Sequence, residues 1–141
     1  MQQFLEFVTN HPLLWTAFFG ILGLLVFGEI RARTRAWKEI GPLEATALIN
    51  HEDAVVLDVR EAGEYRNGHI LNAVHVPLGE LPSRIEKLKK YQGRPIIAYC
   101  QTGTRSGSAC SRLEKAGFER IYNLRGGAAA WVRENLPVTR K

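Results

Sequence analysis

The sequence predicts an α/β domain, a central parallel sheet with helices on both faces, preceded by one transmembrane helix. Three observations carry this. From residue 42 onward, short β-branched and apolar runs alternate with helical segments, the pattern of a parallel sheet covered on both faces. Residues 7–28 contain no Asp, Glu, Lys or Arg, a length suited to crossing roughly 30 Å of hydrocarbon. One apolar run ends at Cys100 and is followed by small, polar and basic residues. Such sheets present their sites beyond the carboxyl ends of their strands.

The N-terminal stretch comes first. Residues 12–28 are mostly Leu, Phe, Gly, Ile, Val and Trp, preceded by Glu6 and followed by Arg31, Arg33, Arg35 and Lys38. Positive charge on the C-terminal side alone predicts a single-pass anchor in a cell membrane, N-terminus out and the remainder cytoplasmic. A cleaved signal peptide would want a basic start and an A-x-A site, and neither is present. A soluble helix apolar on every face would need a larger core than the remaining chain offers. The expected division is an anchor at 1–30 (span about 7–28), a basic juxtamembrane linker at 31–41, and a folded domain at 42–141. The linker is read either as a flexible tether or as a continuation of the helix. Its arginines suit anionic lipid headgroups.

Within the domain, Pro42 opens a helix over 42–49, since proline fits the first turn. Residues 54–59 are a buried strand, and 61–66 a helical turn or two ended by Asn67 and Gly68. Residues 73–76 form a strand stopped by Pro77. A charged amphipathic helix over 81–91 is closed by Gly93 and Pro95. Residues 96–99 make the central strand, and 105–116 a helix with Gly117 at its end. The last strand covers 121–124, Gly126 and Gly127 turn the chain, and 128–134 is the final helix containing Trp131, a core residue.

Composition narrows the function. About 100 residues can bury one core without disulfide staples. Two cysteines, Cys100 and Cys110, suit a reducing compartment and form no C-x-x-C pair. The net charge of +5 is largely the membrane flank, and other basic residues are interspersed with acids as on solvated helix faces. No basic stripe with interleaved aromatics marks a nucleic-acid binder. His51, His69 and His75 lack ligand spacing, so no metal and no cofactor is expected.

A cysteine at a strand end faces turn amides and the positive end of the next helix, both of which favour the thiolate nucleophile. Gly103 permits positive φ in that loop, and Arg105 offers a cation to an anionic substrate. Read alone, Cys100 is equally a buried structural cysteine. Cys110 sits too far along the following helix to bridge it.

Three stretches resemble the rhodanese (sulfurtransferase) domain family. Asp58, Arg60, Glu64, Tyr65, Gly68, His69, Ile70, Ala73, Val76 and Pro77 are similar to its D-x-R, E-F/Y-x-x-G-H-I and following A and P positions. Cys100, Gly103, Arg105 and Ser106 are similar to its C-x-x-G-x-R-S/A loop, and Leu124, Gly126, Gly127 and Trp131 to its L-x-G-G-x-x-x-W close. The layout looks like small bacterial proteins that tether one such domain to the inner membrane.

The resemblance implies that Cys100 attacks a sulfane-sulfur donor such as thiosulfate. A persulfide forms and passes its sulfur to a thiol, cyanide or protein acceptor. Gln101, Thr102, Gly103, Thr104 and Arg105 would bind the substrate and hold the persulfide charge, and Asp58, Arg60, Glu64 and His69 would support the framework. Two alternatives accompany it: a scaffold module recruiting a membrane-protein partner, and a phosphatase-like enzyme. Protein-tyrosine-phosphatase-like relatives use a longer loop, H-C-x5-R. Here Cys100 to Arg105 is one residue shorter and Tyr99 replaces the histidine.

Overall fold

The computed structural model describes residues 1–141 and divides into two compact units, Met1–Arg35 and Ala36–Lys141.

The first unit holds α1 (Gln2–Asn10) and α2 (Pro12–Arg33). The expected single span over 7–28 is therefore interrupted. His11 sits between the helices at φ −128°, ψ 56°, because Pro12 disfavours the α region for the residue before it. Proline is tolerated at the start of α2, where its missing N–H would have had no partner. α2 has 22 residues, a mean hydropathy of 2.0 over its most apolar window, and no buried side chain. At 1.5 Å per residue it is about 33 Å long, long and apolar enough to cross a bilayer. The helix continues through Arg31 and Arg33, and Arg33 pairs with Glu29 one turn back at 2.9 Å.

The second unit contains β1 (Lys38–Ile40), α3 (Pro42–Glu52), β2 (Val55–Asp58), α4 (Ala62–Arg66), β3 (His69–Ile70), β4 (Val74–His75), α5 (Leu81–Leu88), β5 (Ile96–Tyr99), α6 (Thr104–Lys115), β6 (Ile121–Leu124), α7 (Gly127–Arg133) and β7 (Val138–Thr139). Five strands form a parallel sheet in the order β1-β6-β5-β2-β4. β3 and β7 make a separate two-stranded antiparallel ribbon.

Residues 36–40, expected as part of the linker, belong to this unit. Lys38–Ile40 pairs with β6 at the sheet edge, and Trp37 and Ile40 are buried. The Trp37 indole N–H donates to Ser111 Oγ at 3.3 Å. Exposed Lys38 and Glu39 suit an edge strand, and they conceal it from a search for apolar runs. The expected strand over 73–76 is shorter than drawn, while the helical turn of α4 starts at a capping box formed by Glu61 and Glu64.

Alternation along β5 sorts the core into two layers. Ile96, Ala98 and Cys100 pack toward Leu81 and Leu88 of α5 and Ala109, Cys110 and Leu113 of α6. Ile97 and Tyr99 pack toward Ala45 of α3 and Trp131 of α7. The chain leaves β2 toward β4 and leaves β5 toward β6, on opposite sides of the sheet. The carboxyl ends of β2 and β5 therefore flank the crevice where such sheets place ligands. Arg60 follows one of these ends and Cys100 the other.

Candidate active site

β5 ends at Tyr99, and Cys100 opens a tight loop into α6. Gly103 takes φ +106°, a conformation other residues rarely adopt. This turns its amide onto the Cys100 sulfur at 3.1 Å. The twelve-residue α6 begins at Thr104, so its positive end adds to the same field. The Ser106 hydroxyl lies 3.4 Å from the sulfur.

Two opposing effects act on the thiol. Burial pushes its pKa up; the Ser106 hydroxyl and the amides of Ser106, Thr102 and Gly103 push it down and prevail. The net is a thiol more acidic than usual, on a residue with 1 % exposure. Cys110 is the contrast. It lies on α6 with its sulfur 3.6 Å from the Tyr122 carbonyl oxygen, and burial pushes its thiol up to about 12. Both cysteines are unbridged.

A polar pair supports the loop from below. Asn123 Nδ2 donates to the Gly103 carbonyl at 3.0 Å, which orients the amide so that its oxygen faces Ser106 Oγ at 2.6 Å. Asn123 stands alone as a fully polar side chain in the apolar run 121–124. This isolated polar residue is the sequence signal for its role under the loop.

The structure places the remaining expected residues in two groups. Arg105 is joined to Glu64 by two parallel bonds of 2.8 Å each. This pairing lowers the Glu64 carboxyl to about 2 and raises the guanidinium further. Arg105 thus brings its charge to the loop already paired, and Glu64 supports the loop through that pairing. Gln101, Thr102 and Thr104 are exposed on the loop.

Asp58 and Arg60 form the second group, both buried. Arg60 Nε and Nη2 hold the Asp58 carboxylate at 2.8–3.1 Å, and Nη2 also donates to the Gly68 carbonyl at 2.8 Å. Tyr99 donates its hydroxyl proton to Asp58 Oδ2 at 2.6 Å and accepts from the Ile70 amide at 3.1 Å. Arg60 Nη1 reaches Gln101 Oε1 at 3.4 Å, linking this network to the loop. His69 Nδ1 is 2.9 Å from the Tyr65 carbonyl, and its ring stacks on Tyr65 at 3.7 Å between centroids. A cavity of about 280 Å³ lies on this side, lined by Arg60, Gly68, Gln101, Trp131 and Val132 and not by Cys100.

α7 closes the site. The Ala128 amide donates to the Cys100 carbonyl at 2.8 Å and the Ala129 amide to that of Gln101 at 3.2 Å. Gly127 makes this approach possible, since a Cβ there would lie 2.3 Å from the Cys100 carbonyl oxygen.

Sequence comparison agrees with this geometry. The Rhodanese-like domain model matches residues 42–134. The chain belongs to the rhodanese-like domain family. It is 35% identical over 141 residues to the Escherichia coli K12 protein YibN, covering 99% of each. It is 37% identical over 95 residues to the thiosulfate sulfurtransferase GlpE of Coxiella burnetii, across 67% of this chain and 87% of that one. Its fold is similar to that of the rhodanese-related protein of Thermoplasma volcanium, with a TM-score of 0.67 and 29% identity over 74% of this chain and 99% of that one.

Proposed function

We propose that the protein is a membrane-anchored sulfurtransferase that carries sulfane sulfur on Cys100. The supporting observation is the Cys100 sulfur, held by the Gly103 amide and the Ser106 hydroxyl at the positive end of α6. A thiolate stabilised in this way attacks the outer sulfur of a donor such as thiosulfate. Sulfite leaves, and the terminal sulfur of the new persulfide keeps the negative charge among the loop amides. A thiol, cyanide or protein acceptor then takes that sulfur and regenerates the thiolate. The short Cys100-to-Arg105 loop suits a sulfur-centred charge better than a phosphoryl group. Relatives that carry the sulfurtransferase name support the same reading.

α2 is the anchor in this proposal, in the inner membrane with the N-terminus out. Arg31 and Arg33 continue its helix toward anionic headgroups on the cytoplasmic side, and the catalytic unit faces the cytoplasm.

The test is intact-protein mass spectrometry of the full chain in detergent after incubation with thiosulfate, with Cys100→Ser alongside. The expected result is a gain of one sulfur, reversed by cyanide and absent from the variant. A folded sample with a free Cys100 thiol that gains no sulfur from thiosulfate or from a persulfide donor overturns the proposal.

A further inference from the structure

We infer that Glu64 is a specificity-determining residue that steers this site toward thiol persulfides and away from thiosulfate. The inference rests on the sulfurtransferase reading above.

Arg105 is the one cationic side chain carried by the loop itself, and both ends of its guanidinium are engaged by the two oxygens of Glu64 at 2.8 Å. Glu64 is itself held in place. Its Oε2 accepts the Glu61 amide at 3.0 Å, within the capping box that starts α4. The Glu61 side chain adds another carboxylate on the same turn. The second nearby cation, Arg60, is matched by Asp58. Each arginine that reaches the loop therefore has its own carboxylate, and Glu61 is an acid in excess. What remains to attract an anion is the amide field around Cys100, which is shaped for a single sulfur-centred charge.

The two donor classes load this field differently. With thiosulfate, the Cys100 thiolate forms a bond to the outer sulfur, the bond from that sulfur to the sulfonate sulfur breaks, and sulfite leaves as a dianion. Three negative charges occupy the loop throughout. With a thiol persulfide, the thiolate forms a bond to the terminal sulfur, the existing S–S bond breaks, and a thiolate leaves. That reaction carries one negative charge when the persulfide is protonated and two when it is ionised. Neither reaction needs an external oxidant or reductant. Releasing Arg105 from Glu64 would favour the more highly charged reaction. The pair is partly exposed, at 38% and 35%, so solvent screening keeps the effect modest.

The experiment measures rapid-quench sulfur loading of Cys100 in the full chain in detergent. The donors are thiosulfate and 2-hydroxyethyl persulfide, and the proteins are native, Glu64→Gln and Glu61→Gln. A glutamine at 64 still offers an oxygen to the Glu61 amide, so α4 keeps its cap. Glu64→Gln is expected to shift the thiosulfate-to-persulfide rate ratio about fivefold toward thiosulfate. Glu61→Gln is expected to move the ratio the same way by less, and it carries the test if the first variant fails to fold. Loading from both donors with an unchanged ratio in the folded variants overturns this inference alone. Loading from neither donor in the native protein overturns the sulfurtransferase reading and the inference with it.

Discussion

The Ser106 hydroxyl lies 2.6 Å from Asn123 Oδ1 and 3.4 Å from the Cys100 sulfur. One proton serves two acceptors. Because Asn123 Nδ2 is committed to the Gly103 carbonyl, its oxygen cannot turn away. The hydroxyl therefore gives its proton to Asn123 while Cys100 is a neutral thiol and can redirect it to the sulfur when the thiolate forms.

Ser106→Ala removes that donor. A hydrogen bond to a charged group contributes about 1.5–3 kcal/mol, so the thiolate midpoint should rise by about one to two pH units. The pH dependence of Cys100 alkylation by iodoacetamide reads this directly. The same midpoint in native and variant protein would show that the amides alone hold the charge.

Tyr99→Phe leaves the Ile70 amide without its acceptor and Asp58 without its shortest donor. Both groups are buried, so the expected cost is about 1–3 kcal/mol, measured as a lower urea midpoint. The sulfur-loading rate should fall less than stability does, since Tyr99 faces the layer opposite Cys100.

Gly127→Ala places a methyl group 2.3 Å from the Cys100 carbonyl oxygen, at a residue whose φ is +57°. Something must shift, and the opposing atoms are backbone. The expected result is a destabilised chain whose Cys100 alkylates with a midpoint nearer that of an ordinary thiol. Urea unfolding and alkylation together check this.

The Glu64 carboxyl titrates near 2, below its ordinary 4.5, chiefly because Arg105 donates to it. A depressed folded-state pKa stabilises the fold above the ordinary value, and that contribution is lost as pH falls toward the depressed one. Native and Glu64→Gln proteins should therefore differ most in stability above about pH 5 and converge near pH 2. Acid unfolding curves test the sign.

Cys110 is buried, with its thiol pushed up to about 12. In the native state, iodoacetamide near neutral pH should add one carbamidomethyl group, at Cys100. Cys110 should label only after unfolding, which peptide mapping distinguishes.

The sequence made the central strands and the Cys100 loop legible because both obey local rules. Residues 55–58 and 96–99 are buried throughout and, apart from Asp58, form continuous apolar runs, and a cysteine beyond such a run lies at a ligand-binding end. β1 was hidden because Lys38 and Glu39 at the sheet edge carry polar side chains. β3 and β7, two residues each, are too short for any periodicity to show. The break between α1 and α2 was written in Pro12, yet charge counting over 7–28 passes straight through it. The Arg105–Glu64 pair could not be read, because its partners lie 41 residues apart and meet only when β2 and β5 align. Gly126 and Gly127 were legible as a turn of the chain, but the Cys100 carbonyl that Gly127 approaches was not.

The bonds from Ala128 and Ala129 to the carbonyls of Cys100 and Gln101 also order events at the ribosome. β1, the first strand of the second unit, pairs with β6, the last in sequence of its sheet, and the Cys100 loop is tied down by a helix that follows both. A nascent chain exposing Cys100 still lacks the partners that fix its geometry. A prematurely terminated product ending before residue 127 would therefore carry the cysteine without the finished cradle. The surroundings of Cys100 are completed only once residues 127–133 have been made, long after α2 has emerged.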